Sequence, residues 1–463
     1  MDNPNIILIV ADTLRRDGIE PYDHRASTPN IRRFAADSVV FDNAVSPAPW
    51  TVPSHASLFS GMYPSEIGLI PKDDTSIEGL TELVRERLSD LRNNSIASEL
   101  AIRGYTTYAL AANPYISHGT GFDEGFDILT NIDFTGSYIR QEVADVRKKY
   151  GELSISKIPE ILSRGGFSDL FKLYGHYRRL NKFLVGNGMP LFKGGNTITS
   201  TLFNSSLRTP FFLFLNLMEM HDPYKDVDFK EYMHNSIPGR ATLDLYGIKP
   251  FSRKFIENLR NAYFTQSEIF DNIFGQLIYF LKSNGIYDHT MIILTSDHGQ
   301  ALRERNFYGH GIFLYDEIVR IPLIVKLPGN TKFPVSQGYQ SLVGLKDIIT
   351  KGAEEKVTYD ILTRESVFSE EPRINRLTVS PEKVGIERKS LSRVQANRKA
   401  VYKNGFKVTI NGETGRFEEF MKNGKIVSPS EYKEIFRVLL NELDIFKGSE
   451  KFKVDFREEV NYL

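Results

Sequence analysis

In Asn5-Ile6-Ile7-Leu8-Ile9-Val10-Ala11-Asp12, residues 6–11 form an apolar run without a polar break, closed by a carboxylate. Such a run reads as a strand buried on both faces of a parallel sheet. It is far short of the roughly 20 apolar residues that a membrane span requires. Comparable runs are expected to form strands at 39–44, 105–111, 211–217, 290–295 and 321–327. Helical patterns lie between them. One, 95–103, carries apolar residues at 96, 97, 100 and 101. Another, 252–284, places Phe255, Leu259, Tyr263, Ile269, Ile273, Leu277 and Leu281 on one face. Buried strands alternating with helices predict an α/β fold, with a mostly parallel central sheet sandwiched by helices. Functional groups are then expected beyond the carboxyl ends of the strands.

The chain has 463 residues, enough for one large domain and a smaller one. The large domain is expected over 1–350. A small α+β subdomain is expected over 351–463, with strands at 366–368, 400–403 and 406–410 and a helix at 430–443. Within the large domain, 137–196 carries 11 Lys and Arg against 5 Asp and Glu, interleaved with Phe and Tyr. It reads as an insertion, expected to cap the site and attract an anionic substrate.

Hydrophobic residues make up 41% of the chain and charged residues 25%, which excludes a disordered protein. Lys and Arg number 58, as do Asp and Glu, so the basic footprint of a protein that coats nucleic acid is missing. With no cysteine, disulfides, thiolate metal sites and cysteine nucleophiles are excluded. The start, Met-Asp-Asn-Pro, lacks the basic residues and cleavage site of a signal peptide, and no apolar run is long enough for a transmembrane segment. A soluble, cytoplasmic protein is the expectation.

Five stretches carry chemistry. Asp12 stands at a strand's carboxyl end, which suits a metal or phosphate site and equally a plain helix cap. In Thr51-Val-Pro-Ser-His55, Pro53 suits a first helical turn and Gly61 the residue past the helix end. Thr51 is then expected just before a helix N-terminus, where free N–H groups favour an anion and a deprotonated hydroxyl. In Thr295-Ser-Asp297-His298-Gly299, the Asp-His pair can converge on one ion only if the chain is already leaving the sheet. Gly299 is expected to supply the backbone freedom for that exit. His221, in His-Asp-Pro-Tyr, and His310, in Tyr-Gly-His-Gly, fall in turns near strand ends.

In this order, the motifs resemble the sulfatase-like branch of the alkaline phosphatase superfamily. The landmarks are Asp12 with Arg15, Thr51-Val-Pro-Ser-His with Ser60-Gly61, His221-Asp-Pro-Tyr, Asp297-His-Gly and Glu317-Ile-Val-Arg-Ile-Pro-Leu-Ile. Ser366-Val-Phe-Ser-Glu and Val401-Tyr-Lys-Asn-Gly-Phe-Lys resemble the family's C-terminal subdomain. Several positions depart from the pattern. Sulfatases carry Cys or Ser where Thr51 stands and convert it to formylglycine, which Thr cannot yield. His55 replaces an Arg, Thr13 a second Asp, Asn113 lies where a lysine–histidine pair is usual, and His310 replaces a lysine. Thr nucleophiles occur in relatives such as nucleotide pyrophosphatase/phosphodiesterases, phosphonate monoester hydrolases with variant sites, and lipoteichoic acid synthases.

The resemblance implies a metal-dependent hydrolase whose Thr51 attacks a phosphodiester, phosphonate or sulfate ester, with the phosphorus ester favoured. Asp12, Asp297, His298 and Thr51 would hold one divalent cation. This donor set suits Mn²⁺, Mg²⁺ or Zn²⁺ better than the all-oxygen set of Ca²⁺. His55 and Asn113 would stabilise the equatorial oxygens, and His221 or His310 would protonate the leaving oxygen. The substrate would be a small anionic ester, or one linked to a glycan or lipid. The alternatives are a transferase moving a phospho-group onto a glycan or lipid alcohol, and a non-catalytic anion-binding member.

Overall fold

The computed structural model describes residues 3–69, 77–132, 149, 158–171, 174, 193–227, 231–232, 244, 249–330, 336–354, 356–372 and 396–446. Its strands begin with β1 (Asn5–Ala11), β2 (Val39–Val45), β3 (Thr106–Ala111), β4 (Ile128–Asn131), β5 (Phe211–Leu217) and β6 (Thr290–Thr295). They continue with β7 (Ala301–Leu302), β8 (Tyr308–Gly309), β9 (Arg320–Ile321), β10 (Leu323–Lys326) and β11 (Ser336–Ser341). The last five are β12 (Ser366–Glu370), β13 (Arg398–Lys403), β14 (Phe406–Asn411), β15 (Phe417–Lys422) and β16 (Lys425–Ile426).

The main sheet runs β11-β2-β10-β6-β1-β5-β3-β4, with β9 paired to β2. β1 lies at its centre, parallel to both β5 and β6, and every one of its residues is buried. Its side chains alternate between two cores. Ile6, Leu8 and Val10 pack with Val52, Leu80, Ile96 and Ile348 on one face. Ile7, Ile9 and Ala11 pack with Ile31, Ile198 and Phe274 on the other. Each such aliphatic side chain contributes about 1.5–3 kcal/mol by leaving water. The sandwich of helices about a mostly parallel sheet is therefore as expected.

The expected strand at 321–327 is split. Pro322 has no N–H to donate, so β9 pairs with β2 before it, and β10 runs antiparallel between β2 and β6 after it. β4 and β11 were not anticipated, because edge strands such as Ser-Gln-Gly-Tyr-Gln-Ser lack an apolar run. The long helix Arg253–Ser283 starts where the Ser252 side chain accepts from Phe255 N–H.

A smaller antiparallel sheet, β12-β13-β14-β15-β16, follows. The helix Lys433–Ile445 lays Phe436, Leu439, Leu440 and Leu443 on Val401, Val408, Ile410 and Phe420. Most of the 137–196 insertion, and with it the expected cap, lies outside the described residues. Among the described residues no helix is long and apolar enough to cross a membrane.

Candidate functional site

β1, β3, β5 and β6 point their carboxyl ends to one edge of the sheet, and the chemistry gathers there. Asp12 follows β1 directly, and its N–H still pairs with the Leu217 carbonyl at 2.8 Å. Asp297 and His298 follow β6 after the chain has left the sheet. Ser296 Oγ donates to the carbonyls of Ala11 (2.7 Å) and His298 (2.5 Å), and Ser46 and Ser54 hydroxyls donate to the Asp297 carbonyl. That bend lets neighbouring side chains turn to one point. Gly299 serves it differently from the expectation. Its φ is not left-handed; instead a Cβ there would lie 2.3 Å from the Glu317 carbonyl oxygen. Close backbone approach, not conformational freedom, requires glycine.

Asp12, Asp297 and His298 are buried, with one ligand atom of each within 4.8 Å of the others. Thr51 opens the helix Thr51–Ser60, and its Oγ1 lies 3.4 Å from Asp12 Oδ2 and 3.4 Å from His298 Nε2. His298 Nδ1 must donate to the Gly299 carbonyl at 2.9 Å, which leaves Nε2 as the nitrogen facing the cluster. Burial lowers His298 to about 4, so its imidazole is neutral, as a metal ligand must be. Burial, and then the neighbouring Asp297 charge, push Asp12 up. Burial also pushes Asp297 up, against the pull of His55. Asp12 Oδ1 and Asp297 Oδ2 are buried without a hydrogen-bond partner among the described residues. Two orphaned carboxylate oxygens beside a neutral imidazole fit a single divalent cation, whose charge would offset their burial.

Thr13, beside Asp12, has φ +58°. A β-branched residue in that region is strained by about 1–3 kcal/mol. The strained turn lets Thr13 N–H donate to Asp297 Oδ1 at 3.3 Å, and it is held by the Tyr263 hydroxyl donating to the Thr13 carbonyl at 3.1 Å. Arg15 does not enter the site: its guanidinium is taken by Asp17, Glu304 and the Gln300 carbonyl.

Asn113, after β3, donates from Nδ2 to Asp12 Oδ2 at 2.6 Å. His55 donates from Nδ1 to the Thr51 carbonyl at 2.9 Å and lies 3.6 Å from Asp297 Oδ2. Its ring is fully buried among Phe59, Phe122 and Phe214, with centroids 6.0–6.4 Å away. Both residues touch the cluster from behind.

A second wall holds a row of imidazoles. His298 and His310 have ring centroids 4.6 Å apart, and His310 and His221 5.3 Å. His310 Nδ1 is held by Gln300 Oε1 at 2.5 Å. His221 Nδ1 donates to the Asp222 carbonyl (2.7 Å) and lies 3.0 Å from Asp222 Oδ1. Asp222 Oδ2 accepts from the hydroxyls of Tyr232 and Tyr308. Burial opposes protonation of His221, but the hydrogen bond and charge of Asp222 outweigh it and lift His221 to about 9. Asp222 is itself held well below the usual carboxylate range, because His221 outweighs its burial. Three residues of this wall went unread in the sequence: Gln300, Glu219 and Lys193. Glu219 sits two residues before His221, and Lys193 directly precedes Gly194 and Gly195.

A sequence model of the family described as Sulfatase matches residues 4–350. The chain belongs to the sulfatase family. An endo-4-O-sulfatase of Bacteroides thetaiotaomicron is 25% identical over 354 residues, covering 71% of this chain and 65% of that protein. This sulfatase-family chain thus spans just under two thirds of that relative's length. The solved structure of a 2-O GAG sulfatase superposes with a TM-score of 0.60 at 16% identity, covering 96% of this chain and 92% of that one. A phosphonate monoester hydrolase from Silicibacter pomeroyi also gives 0.60, at 16% identity, covering 95% and 94%. Likeness at that identity is likeness of fold. Within the sulfatase fold, Asp12, Asp297 and His298 form a compact group beside Thr51 that could hold a divalent cation.

Proposed function

We propose that the chain hydrolyses phosphodiesters or phosphonate esters in preference to sulfate esters, with Thr51 as nucleophile. The observation that carries this is Thr51 Oγ1, 3.4 Å from both Asp12 and His298 at the start of a helix. Asp12, Asp297, His298 and Thr51 Oγ1 would hold the divalent cation, which when bound lowers the hydroxyl pKa and neutralises charge on the ester. Thr51 Oγ1 attacks the central atom in line, forming a threonine ester as the alcohol leaves. His221, protonated through Asp222, gives the leaving oxygen its proton and then takes one from water that cleaves the threonine ester. Asn113 and His55 keep Asp12, Asp297 and the Thr51 carbonyl in place. The Asn113 hydrogen bond to Asp12 and the His55 hydrogen bond to the Thr51 carbonyl support positioning roles.

The choice of phosphorus rests on the chemistry of threonine. A formylglycine hydrate expels sulfate by collapsing to its aldehyde, so water never attacks sulfur. A threonine ester has no such exit, and water must displace the group at the central atom. That is routine at phosphorus and much harder at sulfur. Matched aryl esters test it. The phosphorus ester is expected to exceed the sulfate ester by at least about tenfold in kcat/KM, roughly 1.4 kcal/mol of barrier. A preference for the sulfate ester would overturn the reading.

A further inference from the structure

Lys193 is a buried cation that the steps above do not use. It is 6% exposed, close to the 5% of Thr51, so it lies as deep as the nucleophile itself. Its Nζ has no hydrogen-bond partner among the described residues and sits 5.6 Å from the centroid of the Tyr224 ring. An ammonium group buried without a partner is costly to keep. Burial accordingly lowers it to about 8, against the charges of Asp222, Glu219 and Asp12.

The main chain of Lys193 is held in place by Glu219. Glu219 Oε1 accepts from the N–H groups of Lys193 (3.1 Å) and Gly195 (2.7 Å). Gly195 leaves no room for a side chain, since a Cβ would lie 2.6 Å from Ile273 Cδ1 and 2.7 Å from Glu219 Oε1. Lys193 is therefore tied to the same loop that carries His221 and Asp222. Of its acidic neighbours, Asp222 engages His221 and two tyrosines, and Asp12 Oδ2 engages Asn113 and Thr51. Glu219 Oε2 and Asp12 Oδ1 have no hydrogen-bond partner among the described residues, and none of these oxygens bonds the ammonium. The other strong cation at this edge, Arg15, is committed to Asp17 and Glu304.

We infer that Lys193 is the anion clamp of the site, its ammonium donating to the non-bridging oxygens of the substrate's ester group. The inference rests on the proposed reaction only in taking the ligand as a tetrahedral oxyanion. It assigns an anion contact to the wall that carries His221, opposite in character to the metal cluster. It also explains a buried lysine whose Nζ meets no acceptor among the described residues. Hydrogen bonds from a charged donor contribute roughly tenfold or more to affinity.

The test is the Kd of inorganic phosphate for the Mn²⁺-loaded full chain, by calorimetry. Lys193→Met is expected to weaken phosphate at least about tenfold, with metal stoichiometry unchanged, and Lys193→Arg to recover part of the loss. Removing the ammonium alone leaves Glu219, whose Oε2 is already without a partner among the described residues, uncompensated. The double variant Lys193→Met/Glu219→Gln therefore keeps the experiment open if the single one does not fold, because the amide oxygen that replaces the carboxylate can still accept both N–H groups. A phosphate Kd within twofold of wild type in either folded variant would overturn the clamp, as would a wild-type protein that binds no phosphate. A protein that binds phosphate through Lys193 yet turns over no ester refutes the reaction and leaves the clamp standing.

Discussion

The metal corner and the imidazole wall are built in opposite ways. Asp12, Asp297 and Asn113 stand one or two residues beyond β1, β6 and β3, so the ladder of the main sheet places them. His221, His310 and Lys193 sit on loops, each aimed by a polar partner: Asp222, Gln300 and Glu219. Rigid placement suits groups that must converge on one ion, where misplacement of an ångström is costly. Loop placement suits groups that must change protonation state or meet a substrate, because a partner can be exchanged without disturbing the sheet.

The largest expected effect is at the metal corner. Asp297→Asn or His298→Ala should abolish tight metal binding and lower turnover on the order of a thousandfold while the fold persists. Elemental analysis reads the metal directly, and unchanged stoichiometry in both variants would remove the assignment.

On the imidazole wall the expected signature is a pH profile rather than a loss of metal. His221 is lifted to about 9 by Asp222, so it is protonated at neutral pH, and the acid form is lost as pH rises through about 9. Asp222→Asn removes the lifting charge, so the alkaline limb of kcat should move to lower pH, with metal content intact. His221→Ala should lower kcat on the order of a hundredfold or more. An alkaline limb that stays in place in Asp222→Asn would break the contrast between the two walls.

That contrast also decides what could be read in the sequence. β1 and β6 read as buried strands because their interiors are apolar on both faces, and the carboxylates Asp12 and Asp297 just beyond them stand out. Edge strands β4 and β11 carry polar residues and left no such signal. Asp12, Thr51, Asp297 and His298 were legible because each follows directly from its own strand or opens a helix. Glu219 and Lys193 are 26 residues apart and meet only through the tertiary fold. Asn113 and His55 were legible as positions but not as partners, since only the fold shows that one holds Asp12 and the other the Thr51 carbonyl.

The smallest expected effect lies between the walls. Gly299→Ala would press a methyl group onto the Glu317 carbonyl, destabilising the fold by about 1–3 kcal/mol. Thermal unfolding should show a lowered midpoint. An unchanged midpoint would mean that the Asp297-His298 bend tolerates more space than its packing shows.

Thr51 joins the two walls, and a covalent ester on its oxygen tests the account most directly. An aryl phosphonate or phosphodiester is mixed with the Mn²⁺-loaded protein, quenched in acid within a turnover and digested. Mass spectrometry should then find the phosphorus group on the peptide carrying Thr51, with no adduct and no turnover in Thr51→Ala. Turnover retained in Thr51→Ala, with no adduct in the wild-type protein, would contradict the account.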